Sequence, residues 1–157
     1  MTAERKRRWQ NIGIVAGTAL IALAMVWANT YQRMRTEYRK GEEHFARGDY
    51  LPAITAYETA IHAYVPWSGK IRHSAERLWE IGGLYEEQGE TELALIAYRS
   101  LRSSFYAVRS FYQPYPEWIE RCGPKIEALM DDQEQRLKPR SAPVVESPAA
   151  VAPDQSR

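Results

Sequence analysis

The fold is decided by the stretch YRKGEEHFARGDYLPAITAYETA at residues 38–60, which recurs as WEIGGLYEEQGETELALIAYRSL at residues 79–101, 41 positions later. Some of the differing positions agree in size and polarity: Tyr38 is matched by Trp79, and Asp49 by Glu90. The identical residues are small or aromatic: Gly41, Gly48, Ala53, Ala56 and Tyr57 recur as Gly82, Gly89, Ala94, Ala97 and Tyr98.

Each copy has the features of two helices joined by a tight turn. The small residues allow two antiparallel helices to approach closely, and the repeated tyrosine fills the space between neighbouring hairpins. Gly48 and Gly89 stand where the first helix must stop, because glycine adopts the left-handed conformation at the lowest cost. Asp49 and Glu90 then bring a carboxylate to the exposed amide groups of the second helix.

This pattern resembles the tetratricopeptide repeat family over roughly residues 34–107. The resemblance implies helical hairpins that stack into a curved array and present a groove to partner proteins. The family repeats at about 34 residues, so we expect extra residues between the hairpins, at 64–73. Because two hairpins leave the array open, a further helix should cover its end.

We therefore predict an all-α fold with an N-terminal transmembrane helix, followed by a short right-handed array of two hairpins and a capping helix. The helical domain should occupy residues 31–137. Its hairpins are predicted at about 34–64 and 70–108, and its capping helix at 116–137, with an interruption or kink at Gly123-Pro124. The tail at 138–157 is rich in proline and alanine and is predicted to be disordered.

An apolar segment near the N-terminus predicts a membrane span. Residues 12–28 contain no charge in 17 positions, which meets the lower limit for a helix that crosses a bilayer. Trp27 and Tyr31 flank the far end, where amphipathic rings favour the headgroup region. We predict a transmembrane helix at 12–30 after a basic cytoplasmic tail at 1–11.

The alternative is a cleaved secretory signal that ends at Ala28, because a basic start and an apolar run also precede cleavage sites. An uncleaved signal anchor is favoured, since the run is longer than most signal cores and passes directly into helix-forming sequence. The basic cluster at residues 5–8 puts the N-terminus in the cytoplasm. We expect a single-pass protein of a bacterial inner (cytoplasmic) membrane with its repeat domain in the periplasm. Gly13 and Gly17 have the spacing that lets membrane helices pair.

Catalytic chemistry has no recognisable motif in this sequence. The net charge of +1 does not favour a nucleic-acid partner. The three histidines have no partner at metal-ligand spacing, and there is neither a phosphate-binding glycine loop nor a nucleophile turn. Cys122 has the spacing of a buried apolar residue relative to Trp118 and Ile126. We expect no enzyme activity, no cofactor, no metal and no small-molecule substrate.

The expected function is binding. The resemblance implies a groove lined by the first helix of each hairpin, and a groove with tyrosine, tryptophan and glutamates would suit an apolar and basic partner segment. Tyr112 and Tyr115 are further interface candidates, in a segment dense in aromatic residues. We expect a scaffold, assembly factor or accessory subunit of a larger membrane complex. The span could also pair with a second copy of itself. The alternative is an exported chaperone-like or peptide-binding module. The matching groove positions are Arg35, Tyr38, Glu42, Phe45, Glu76, Trp79 and Glu86.

Overall fold

The computed structural model describes residues 3–66 and 68–138, and over those residues the chain forms five helices and no strand. The all-α prediction is confirmed. The proline-rich tail lies outside the described residues except for Lys138. In chain order the helices are α1 (Ala3–Ala46), α2 (Tyr50–His62), α3 (Gly69–Glu87), α4 (Thr91–Ala107) and α5 (Pro116–Leu137).

α1 is one uninterrupted helix of 44 residues that carries the apolar segment into the first hairpin. It is long and apolar enough to cross a bilayer, and the most apolar window of this helix buries none of its residues against the rest of the chain. Further along the same helix, Met34 is fully buried in the core. The prediction that the apolar helix runs directly into the first hairpin helix is confirmed.

Both predicted glycine turns are present. Gly48 and Gly89 have positive φ angles of 78° and 76°. In each turn the next amide reaches back to the helix end: Asp49 N–H donates to the His44 carbonyl and Glu90 N–H to the Tyr85 carbonyl, both at 2.9 Å. Asp49 and Glu90 precede α2 and α4 as predicted, but neither side chain makes a capping hydrogen bond. Only their charge can therefore favour the helix start.

The repeated glycine and tyrosine set how closely each pair of helices approaches. A Cβ atom added at Gly41 would lie 2.6 Å from the Tyr57 ring, and one added at Gly82 would lie 2.6 Å from the Tyr98 ring. Both tyrosine side chains are buried. The tyrosine of the second helix thus occupies the space that a side chain on the first helix would need, once in each hairpin.

α5 covers the second hairpin and has the bounds predicted from the sequence. It buries Trp118, Cys122 and Ile126 in the same core as the two hairpins. Met130, four residues after Ile126, is 45% exposed. The helix continues through Gly123-Pro124, so the predicted interruption at this position is wrong. Pro124 removes one backbone hydrogen bond, but buried side chains on both sides of it keep the helix in place.

Candidate binding face of the helical hairpins

A carboxylate of α1 joins the first hairpin to the second. The Tyr57 hydroxyl on α2 donates to Glu42 Oε1 at 2.5 Å. Arg77 on α3 donates to the same carboxylate, from Nε to Oε1 at 3.2 Å and from Nη2 to Oε2 at 3.4 Å. Three helices therefore meet at one carboxylate, which accepts hydrogen bonds from a tyrosine and a cation.

The second hairpin has the same arrangement with its own residues. The Tyr98 hydroxyl on α4 donates to Glu86 Oε1 at 2.5 Å. Lys125 Nζ on α5 donates to both oxygens of Glu86, at 2.9 and 2.8 Å. The tyrosines are equivalent in the sequence repeat, but the carboxylates are not, because Glu42 follows Gly41 directly and Glu86 lies a helical turn beyond Gly82.

The ionisation of these groups follows from their contacts. Partial burial acts to raise the pKa of the Glu42 carboxyl, but the hydrogen bonds from Tyr57 and Arg77 outweigh it and hold that pKa below its usual value. Burial, reinforced by the neighbouring carboxylate, raises the pKa of the Tyr57 and Tyr98 hydroxyls. Each carboxylate with its tyrosine and its cation forms one unit, and in the unit around Glu42 the tyrosine is neutral and the carboxylate is ionised at neutral pH.

These units change what the predicted groove can offer a partner. Glu42 and Glu86 have their negative charge matched inside the chain by Arg77 and Lys125. Glu76 is half exposed and lies 3.2 Å from Nδ1 of His73. The free negative charge on this face is consequently smaller than the number of glutamates in the sequence suggests.

Two predicted groove aromatics lie against other side chains of the domain. Phe45 is partly buried, with the Arg77 guanidinium 4.3 Å from its ring centroid. Trp79 is also partly buried: its ring is 4.9 Å from that of Tyr98 and 6.1 Å from that of Trp118. The Arg121 guanidinium also lies 4.4 Å from the Trp79 ring centroid. α5 therefore covers the groove position of the second hairpin.

The first hairpin keeps an open pocket, and the structure brings three of the predicted residues together in it. A surface pocket of about 590 Å³ is lined by Arg35, Tyr38 and Glu42, with Arg39 and Lys70 around them. Lys70 Nζ lies 4.6 Å from the Tyr38 ring centroid. Arg39 also contacts Glu43 at 3.5 Å, but both side chains are more than half exposed, so water screens that pair. The only carboxylate in the pocket lining is already matched, and the open surface is basic.

The two tyrosines predicted at an interface differ in exposure. Tyr112 is 55% exposed, and its hydroxyl lies 2.8 Å from the hydroxyl of Tyr64. Tyr115 is partly buried, with its ring 5.6 Å from that of Phe105 and a left-handed backbone at φ 49°. Sequence reasoning missed Phe111, which is fully exposed. An aromatic residue in a short loop, followed by prolines, was the available signal.

The cysteine and the metal-ligating residue types lie where the structure gives them no reactive arrangement within residues 3–66 and 68–138. Burial raises the pKa of the Cys122 thiol to about 11, so it remains protonated and weakly nucleophilic at neutral pH. Within residues 3–66 and 68–138, no three or more His, Cys, Asp or Glu side chains are grouped to hold a metal ion.

Gly13 and Gly17 lie on the exposed apolar part of α1, where an added Cβ would meet nothing within 4 Å.

Sequence reasoning also missed the cations that complete the site, Arg39, Lys70, Arg77 and Lys125. Arg77 did carry a signal, because it is the only lysine or arginine between Glu76 and Glu87. Comparisons of the chain with protein-family models, with curated proteins and with solved structures found no match.

Proposed function

We propose that this chain is a membrane-anchored protein–protein interaction module that acts as a scaffold, assembly factor or accessory subunit of a membrane complex. The observation that carries the proposal is that α1 is both the apolar helix and the first helix of the hairpin domain. Because no flexible linker separates the two, the domain is held close to the bilayer and can reach only membrane-proximal partners. Its hairpins are of the tetratricopeptide type, and the membrane is a bacterial inner membrane with the domain on the periplasmic side.

The partner surface is the pocket of the first hairpin. Its open cations are Arg35 and Lys70, of which Lys70 lies against the ring of Tyr38, and such a surface complements an acidic segment with an apolar or aromatic side chain. The pocket begins within two helical turns of residue 30, where the predicted transmembrane helix ends. The segment of the partner that binds this pocket therefore lies just outside the partner's membrane span.

The test compares two charge reversals on the same helix. Arg35→Glu, inside the pocket, should lower recovery of the partner in mild-detergent affinity purification by about tenfold, corresponding to about 1.4 kcal/mol. Arg33→Glu is the matched control, because Arg33 is exposed but does not line the pocket. Equal recovery with both variants and the unchanged chain would remove the pocket from the proposal.

A second candidate is an exported binding module released by cleavage after Ala28. The observation in its favour is that Met34 is the first buried residue from residue 11 onward, so cleavage would leave the domain core complete. Intact mass of the chain recovered from cells distinguishes the two, since only the anchored form keeps residues 1–28.

A further inference from the structure

The connections between helices lie at two opposite ends of the domain. α1 leads away from the apolar segment, α2 returns, α3 leads away again, and α4 returns. The glycine turns therefore lie at the far end, and the α2–α3 and α4–α5 connections lie at the end nearest the apolar segment. We call the described residues of these two connections, 63–66 with 68 and 108–115, the anchor-end loops.

Contacts on α1 locate the first anchor-end loop. Tyr64, Val65 and Pro66 face Leu20, Trp27 and other residues of the apolar helix across a hollow of about 600 Å³. Beside them, the Ser68 hydroxyl lies 3.7 Å from the Met34 sulfur. Met34 is four residues beyond residue 30, about 6 Å along a helix. The headgroup layer is about 5–7 Å thick on each side of the hydrocarbon, so Ser68 lies at headgroup depth. Tyr64 and Pro66 share their hollow with Trp27 and Thr30, so the loop extends from that layer towards the hydrocarbon.

The second anchor-end loop is attached to the first at that level. The hydroxyls of Tyr64 and Tyr112 are 2.8 Å apart. α4 has 17 residues against 19 in α3, so it returns to within about 3 Å of the level where α3 began. Next to Tyr112, Phe111 is fully exposed. The domain thus presents an aromatic ring to solvent at the end where the apolar helix leaves it.

We propose that the anchor-end loops form a second lipid-contacting surface, with Phe111 inserted at the interface of the bilayer that holds α1. The occupant is the bilayer because this surface is continuous with the apolar helix through Tyr64 and Trp27 and lies at headgroup depth. Aromatic side chains favour this region of a membrane. The contact would fix the tilt and rotation of the domain, since α1 alone permits rotation about its own axis. The inference rests on the proposed membrane anchor.

The test places an environment-sensitive nitrobenzoxadiazole label at one of two positions in the full chain, reconstituted in phosphatidylcholine–phosphatidylglycerol vesicles. Phe111→Cys carries the label at the anchor end. Gln88→Cys is the matched control, because Gln88 is exposed in the turn at the far end. The native thiol, Cys122, is fully buried, and the unsubstituted chain reports any labelling of it. Circular dichroism checks that both variants keep their helices.

At position 111 we expect emission at shorter wavelength than at position 88, with most of it lost when the acyl chains are brominated. Emission at position 88 should be unaffected by bromine. Aqueous emission at both positions, in a chain that stays in the vesicles after carbonate extraction, would overturn the inference and leave the anchor intact. A shift at 111 without quenching would also overturn it, because it would indicate a protein contact. Loss of the chain on extraction would refute the proposed anchor itself.

Discussion

Replacing Gly82 by alanine tests the packing on which the hairpin domain depends. The added Cβ would lie 2.6 Å from the Tyr98 ring, whereas carbon atoms pack best at about 3.5–4 Å. The ring or the helix must therefore move by about 1 Å. The ring is restrained, because its hydroxyl is bound to Glu86 and Trp79 lies 4.9 Å from it. Overpacking of this kind costs about 1–3 kcal/mol.

Gly83→Ala is the matched control, since Gly83 is next in α3 and an added Cβ there meets nothing within 4 Å. Alanine is better than glycine in a helix by about 0.5–1 kcal/mol, and this gain applies to both variants. The difference between their free energies of unfolding therefore isolates the contact with Tyr98. We expect Gly82→Ala to be less stable than Gly83→Ala by about 1–3 kcal/mol, or at least about 4 °C in Tm.

The assay is urea and thermal unfolding of the full chain in mild detergent, followed by far-UV circular dichroism. The apolar helix stays in the detergent and contributes a constant signal, so the transition reports the domain. Equal stability of the two variants would show that the Tyr98 ring does not lie against Gly82, and the proposed hairpin packing would fail with it.

Three further predictions concern the carboxylate unit and Trp79, and a fourth concerns the span. The pKa of Tyr57 is raised in the folded state, so the free energy of unfolding should fall as pH rises above about 10, where the hydroxyl ionises in the unfolded chain. Tyr57→Phe should make this fall less steep in unfolding curves, and an unchanged dependence on pH would contradict the prediction. The pKa of Glu42 is lowered in the folded state, so its contribution to the free energy of unfolding is present above about pH 4.5 and is lost as pH falls through the folded pKa. Glu42→Gln should make the loss of stability in acid less steep, and a steeper loss would contradict the ionised state of Glu42. Trp79→Ala should lower stability by about 2–4 kcal/mol through loss of the Tyr98 contact, whereas weaker partner capture at unchanged stability would place Trp79 in an open groove. Leucine at Gly13 and Gly17 should abolish association through the span in detergent, measured by crosslinking, and undiminished association would remove any role for that pair.

The hairpins could be predicted because their determinants are local. Gly48 and Gly89 require a backbone conformation that other residues avoid, so the turns are visible in the sequence. The glycine and tyrosine that touch are separated by the same number of residues in both copies. A turn and a fixed spacing together determine which side chains meet within one hairpin.

The contacts between hairpins could not be predicted in the same way. Arg77 and Lys125 reach carboxylates 35 and 39 residues away, and such pairs depend on how neighbouring hairpins rotate against each other. The same rotation lets α5 cover Trp79, which the sequence pattern had placed in the groove. Nor does the sequence distinguish an exposed aromatic such as Phe111 from a buried one such as Phe105, because both stand among aromatic neighbours.

The central claim is that a single helix serves both as membrane anchor and as the first helix of the binding domain. Its most direct test is the intact mass of the chain recovered from carbonate-washed membranes. We predict the mass of the uncleaved chain, 18.1 kDa. Recovery of the chain only in the wash, with a mass that lacks residues 1–28, would contradict the claim.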